Sequence, residues 1–109
     1  MGVRSKRLWG PTTVGTSHVT LYTCPAEETA LIKTLAVANA YALTNTVTFK
    51  LNGTGGAQSL WTEDVPSGKG FIIPELFIVL NPGDTFRALA TGASVFITGF
   101  GAELEGVAD

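Results

Sequence analysis

Residues 44–53 read TNTVTFKLNG, and apolar and polar side chains alternate along them. Val47, Phe49 and Leu51 share one parity; Thr46, Thr48 and Lys50 share the other. Successive side chains of a strand face opposite sides, so this run predicts a strand with one dry and one wet face. The same period runs through SHVTLYTCP, with Val19 and Leu21 inward and His18, Thr20 and Tyr22 opposite. Pro25 ends that strand, because it cannot donate to a ladder.

Thr29–Ala40, TALIKTLAVANA, is the hardest segment to read. Its alanines and leucines tolerate a helix. Ile32, Thr34 and Val37 are β-branched, however, and Lys33 interrupts any continuous helical apolar face. The segment therefore reads as a strand, with Leu31, Leu35 and Val37 on the face of Lys33. GTGGAQ is a flexible turn. SLWTEDVPSG gives a short strand, and Pro74 makes GFIIPEL an edge strand or a bend. Asn81-Pro82-Gly83-Asp84 has Pro second and Gly third, the chemistry of a type II turn. Beyond it, Phe86, Ala88 and Ala90 alternate with Arg87 and Leu89, then Val95 and Ile97 with Phe96 and Thr98. Seven or eight short strands, with turns about every eight to twelve residues, predict an all-β fold. An antiparallel β-sandwich is the first expectation and a jelly roll its near variant.

Composition supports one domain able to bury a core. The chain has 109 residues, 45% hydrophobic and only 15% charged. So few charges leave much surface suited to being covered by neighbours. A net charge of −2 argues against a basic nucleic-acid face. The charge is uneven: Arg4, Lys6 and Arg7 stand near one end, Glu103, Glu105 and Asp109 near the other. Gly2–Pro11 shows no strand period, which marks residues 1–15 as an N-terminal arm. Arg4, Lys6, Arg7 and Trp9 are then its candidate assembly contacts, with Trp9 filling an apolar pocket on a neighbour. Residues 16–103 form the sandwich and 104–109 a C-terminal tail. No apolar run has the length of a signal peptide or a membrane span, so synthesis in a cytoplasm and no membrane partner are expected.

The search for chemistry returns little. His18 is the only histidine, and with no partner set it is a poor catalytic base. Cys24 is alone; it can form no internal disulfide and reads as a small buried hydrophobe. One Cys and one His cannot hold zinc. In the pairs Glu27-Glu28 and Glu63-Asp64, neighbours on a strand point to opposite faces and so cannot flank a sugar together. No calcium-loop pattern surrounds Glu63 and Asp64. No catalytic residue, cofactor or metal is expected. The remaining candidate is a sugar-stacking platform of Trp61 and Tyr41.

The order of these motifs resembles a family of small virion proteins of tailed bacteriophages. Leu21-Tyr22-Thr23-Cys24-Pro25 takes the place of that family's first strand and turn. Ala30-Leu31-Ile32-Lys33 and Asn39 follow, then Val47-Thr48-Phe49 with Asn52-Gly53, and last Gly83-Asp84-Thr85-Phe86-Arg87. The likeness runs from about Thr16 to Gly101. It departs at Glu27-Glu28, where the family often has a glycine turn. The resemblance implies a β-sandwich structural protein of a virion, a capsid decoration or neck/tail component with no catalytic residues. Its expected partners are other virion proteins and copies of itself in a homo-oligomer. The alternative expectation, from another class, is a carbohydrate-binding module that attaches a particle to the host cell surface.

Overall fold

The alternating runs do form strands. The computed structural model describes residues 3–53 and 58–105, and among them are nine strands and no α-helix. In chain order they are β1 (Val3–Val14), β2 (Val19–Thr23), β3 (Glu28–Asn39), β4 (Asn45–Leu51) and β5 (Ser59–Val65). Then come β6 (Gly70–Ile73), β7 (Ile78–Leu80), β8 (Thr85–Ala90) and β9 (Val95–Glu105). Thr29–Ala40 is a strand over nearly its whole length. Most of the expected GTGGAQ turn lies outside the described residues.

The strands form two antiparallel sheets. One has the order β1-β9-β3-β6, with β7 also paired to β3; the other is β2-β8-β4-β5. First pairs with last, second with second-last, and so inward to the β4–β5 hairpin. This is one long antiparallel ribbon. Rolling it up adds the β3–β9 and β4–β8 pairings, which is jelly-roll winding. Pro74 and Glu75 separate β6 from β7, so one side of the ribbon is split in two.

The core lies between the sheets. Ile32, Leu35, Val37, Val95 and Ile97 come from the five-stranded sheet, Val47, Phe49, Phe86 and Ala88 from the other. Four rings stand in a row across the inner face of the four-stranded sheet. They are Tyr22 of β2, Phe86 of β8, Phe49 of β4 and Trp61 of β5. Phe49 stacks on Phe86 at 5.7 Å and on Trp61 at 4.5 Å between centroids. Trp9 reaches across from the opposite sheet, 5.9 Å from Tyr22 and 6.0 Å from Phe86.

Trp9 corrects the expectation of an N-terminal arm. Residues 3–14 are an edge strand of the sandwich, paired to β9 from Val3↔Leu104 to Val14↔Val95. The period of two is hidden because the register slips twice, between Arg7 and Trp9 and between Trp9 and Thr12. Each slip shifts the parity of the face, so both Leu8 and Trp9 turn into the core. Leu104 and Glu105, expected in the tail, belong to β9; residues 106–109 lie outside the described residues.

Bulges also re-aim two other strands. The β3–β9 register slips between Ile32 and Thr34. Inward positions are therefore Ala30 and Ile32 before it, Leu35 and Val37 after it, and Leu31 does not share their face. The β2–β8 register slips between Thr20 and Tyr22, which lets Leu21 and Tyr22 both meet the core. Gly83, at the third position of the expected turn, has φ +86°, and the Asp84 N–H donates to the Asn81 carbonyl at 2.9 Å. That is the hydrogen bond and the glycine conformation of the type II turn.

Gly99 lies directly beneath the Trp9 ring. A Cβ at position 99 would stand 2.3 Å from the ring's Cη2. The ring is rigid and enclosed, so Gly99→Ala must displace it or the strand. We expect a loss of roughly 1–3 kcal/mol in urea unfolding, the usual scale of overpacking. An unchanged midpoint would show that the ring is not held there.

Candidate functional site

The side chains with chemical potential are held in structural roles. Among the described residues no three His, Cys, Asp or Glu side chains gather as a metal site. The buried Cys24 thiol donates to the carbonyls of Glu28 (3.2 Å) and Leu80 (3.5 Å). Burial pushes its pKa up, the opposite of an activated thiolate. The Thr46 hydroxyl donates to Asp64 at 2.7 Å, and the Trp61 indole N–H to Glu63 at 3.1 Å. Glu63 and Asp64 thus work on opposite sides of β5. His18 is half-buried in the link before β2. No helix of the described residues is long and apolar enough to cross a membrane.

Three polar clusters tie the strands together. Asn39 and Asn45 are buried at one end of the sandwich. The Asn39 amide donates to the carbonyls of Leu43 (3.0 Å) and Val65 (2.8 Å), and the Asn45 amide to Ala93 (3.2 Å). The Gly92 N–H and the Thr91 hydroxyl both donate to Asn45 Oδ1. At the other end the Asn52 amide donates to Asp84 (2.8 Å), and the Thr85 N–H to Asn52 Oδ1 (2.7 Å). The third cluster joins the two sheets. Glu103 of β9 is buried; its carboxylate accepts from the Tyr22 hydroxyl of β2 and from Lys6 Nζ of β1 at 3.2 Å. Sequence reading missed this cluster because its members are up to 97 positions apart and meet only in the fold.

The expected assembly residues are scattered. Arg4 lies opposite Glu103 in the β1–β9 register, Lys6 is bound to the Glu103 carboxylate, and Arg7 is exposed. Trp9 is 9% exposed and donates its indole N–H to the Ile97 carbonyl at 3.0 Å. The ring expected in a neighbour's pocket fills this chain's own core instead. The sugar-stacking pair is not assembled either. Tyr41 lies in the β3–β4 connection against Gly92. Trp61 faces inward on Phe49, which stands four residues along β4 from Asn45.

The two outer faces differ in kind. On the four-stranded sheet the outward positions include Thr20, Thr46, Thr48 and Thr62, a hydroxyl-rich wet face. On the five-stranded sheet they include Phe96 (38% exposed), Phe100 (37%), Ile72 (57%) and Val79 (44%). The available signal was in β9: Val95 and Ile97 alternate with Phe96, so both faces of that strand are apolar, as in strands covered on both sides.

No protein-family model matches the chain, and no curated protein matches its sequence. Similar folds are known among solved structures. One belongs to the Bacillus endospore appendages, a family of disulfide-linked pili. The identity is 14% and the TM-score 0.56, over 96% of this chain and 89% of that one. Another belongs to the infectious bursal disease virus Gx strain, with 10% identity and a TM-score of 0.50, over 99% of this chain. This chain spans about a third (34%) of that viral one. At such identities the likeness is one of fold.

The Tyr22–Glu103 contact gives stability a pH dependence. Burial, then the hydrogen bond and charge of Glu103, push the Tyr22 pKa well above its ordinary 10.0. The fold therefore favours the neutral phenol. That contribution is fully present below about pH 10 and is lost as pH rises beyond it. Wild type should lose stability in alkaline denaturation above about pH 10 more steeply than Tyr22→Phe. Parallel curves would show that the phenol is free to ionise in the folded state.

Proposed function

We propose that this chain is a structural subunit, present in many copies, of a multi-subunit particle or appendage. The observation that carries this reading is the apolar outer face of the five-stranded sheet. Phe96, Phe100, Ile72 and Val79 stand there in the open on a chain with only 15% charged residues. Exposed apolar patches of this kind mark association surfaces. The jelly-roll topology and the likeness to chains from pili and from a virus support it as analogies of fold.

The finer reading is a bacteriophage particle, with the chain as a capsid decoration or neck/tail protein bound to neighbouring virion subunits. It rests on the motif resemblance, whose pieces meet in space: Asn52 bonds Asp84 and Thr85 across two turns. The subunit acts by shape, without catalysis, cofactor or nucleic acid. Trp9 is buried in the core, and Trp61, half-buried, is stacked on Phe49 with its indole N–H bound to Glu63; this favours the subunit reading over carbohydrate attachment, which needs an open platform. The test is immunogold labelling of purified phage particles and surface appendages from cells that make the chain. Regular labelling at many positions per particle is expected. Label found only in the soluble fraction would refute the subunit reading.

A further inference from the structure

Resting on that multi-copy reading, we propose that the outer face of the five-stranded sheet is the interface between two copies of this chain. The copies pack face to face about a twofold axis that runs parallel to the strands, between β9 and β3. Such an axis lays β9 of one copy over β3 of the other, and β1 over β6 and β7. Residues of the same cross-strand row then meet.

The rows fit this operation. Outward on β9 and β3, Phe96 pairs with Ala38, Phe100 with Thr34, and Ala102 with Leu31. Each of these three rows sets a larger residue beside a smaller one, and the Thr98–Ala36 row between the first two is low on both strands. The twofold places Phe96 over Ala38 of the second copy and Phe100 over its Thr34, so each of these phenylalanines meets a recess. A single sequence achieves this with itself, which is the requirement of an isologous contact. One pair of flanking charges agrees, while the exposed Lys33 of β3, between the Thr34 and Leu31 rows, has to extend its ammonium past the partner to water. Arg7 lies on β1 in the row of Phe100. At the opposite edge the connection carrying the exposed Glu75 is held at the same level, where the Leu76 N–H donates to the Lys33 carbonyl at 2.9 Å. The axis brings Arg7 of each copy to the edge that bears Glu75 of the other.

The area comes close to that of a standard interface. Eleven residues of β9 at about 3.4 Å each, by four strands at about 4.8 Å, make a face on the order of 700 Å². A standard interface takes roughly 800 Å² from each partner. The sheet edges offer poorer contacts. β1 is broken by two slips and contains Pro11, β2 is short and bulged, and Pro74 interrupts the β6–β7 edge. β5 presents Glu63 and Asp64. These are the devices that block edge-to-edge pairing.

Sedimentation equilibrium of the full chain tests the proposal. Wild type should associate to a dimer. Phe96→Glu and Phe100→Glu should each weaken it by at least about 30-fold, the effect of removing a central interface aromatic. Thr48→Glu, on the wet face, should leave it unchanged. Circular dichroism checks that each variant is folded. Should the glutamate variants unfold, hydroxyl-radical footprinting of wild type decides: Phe96 and Phe100 should be shielded at high concentration and oxidised on dilution. A wild type that stays monomeric, glutamate variants that associate like wild type, or unshielded phenylalanines would each overturn the proposal. Undiminished association in the variants would leave the multi-copy reading standing with another contact surface. Failure of that reading shows separately, as particles that carry no label.

Discussion

The placement of the Trp9 ring on Gly99 is the contact on which the rest of the sandwich depends. A glycine in the middle of a central strand is a weak point, with no side chain to pack and excess backbone freedom. The indole covers it, and no residue with a Cβ could stand beneath the ring at that distance. The indole N–H meets the Ile97 carbonyl, so the ring carries no unsatisfied donor into the core. The same ring touches Tyr22 and Phe86 of the opposite sheet, which fixes how the two sheets face each other. One side chain thereby fastens the first strand to the last and one layer to the other. That outermost pair ends the ribbon, and the β3–β9 and β4–β8 pairings roll it into a jelly roll.

Where the sheets part, apolar packing gives way to polar ties. The asparagines 39 and 45 gather the β3–β4 connection, the β8–β9 connection and the end of β5. Asn52 and Asp84 join the turns at the opposite end, and Asn52 has the left-handed φ of 62° that its turn requires. Tyr22, Glu103 and Lys6 close the margin between β1 and β2. A buried carboxylate is tolerated there because it has both a cation and a hydroxyl donor. Removing one partner of such a group costs more than the pair contributes, since the charge stays buried. These ties specify which strands lie together; the apolar core between the sheets supplies the cohesion.

Much of the fold could be read from the sequence because a strand's period is two. Val47 and Phe49, or Phe86, Ala88 and Ala90, announce their inner face by parity alone. Pro74 and the Asn81–Asp84 turn announce their breaks by backbone chemistry. The failures have one cause. A bulge changes parity without leaving a mark in composition, and it did so before Trp9, at Lys33 and at Leu21. β1 therefore read as an arm, and Leu31 joined the wrong face. The candidate interface was harder still. Phe96 and Phe100 look like core residues, and hydrophobicity does not distinguish a side chain packed inward from one that faces out toward a partner.

The inequality of the two faces limits how the chain can build anything larger. A twofold contact consumes the same patch on both copies, so it closes on itself. A pair joined by the apolar faces presents two threonine-rich faces outward, on which Thr20 and Thr62 are exposed and Thr46 and Thr48 half-buried. Hydroxyls on a flat sheet are satisfied by water and provide little drive for another layer. Growth beyond such a pair must then come from the ends and margins of the sandwich. Charged margins give direction and register more than strength.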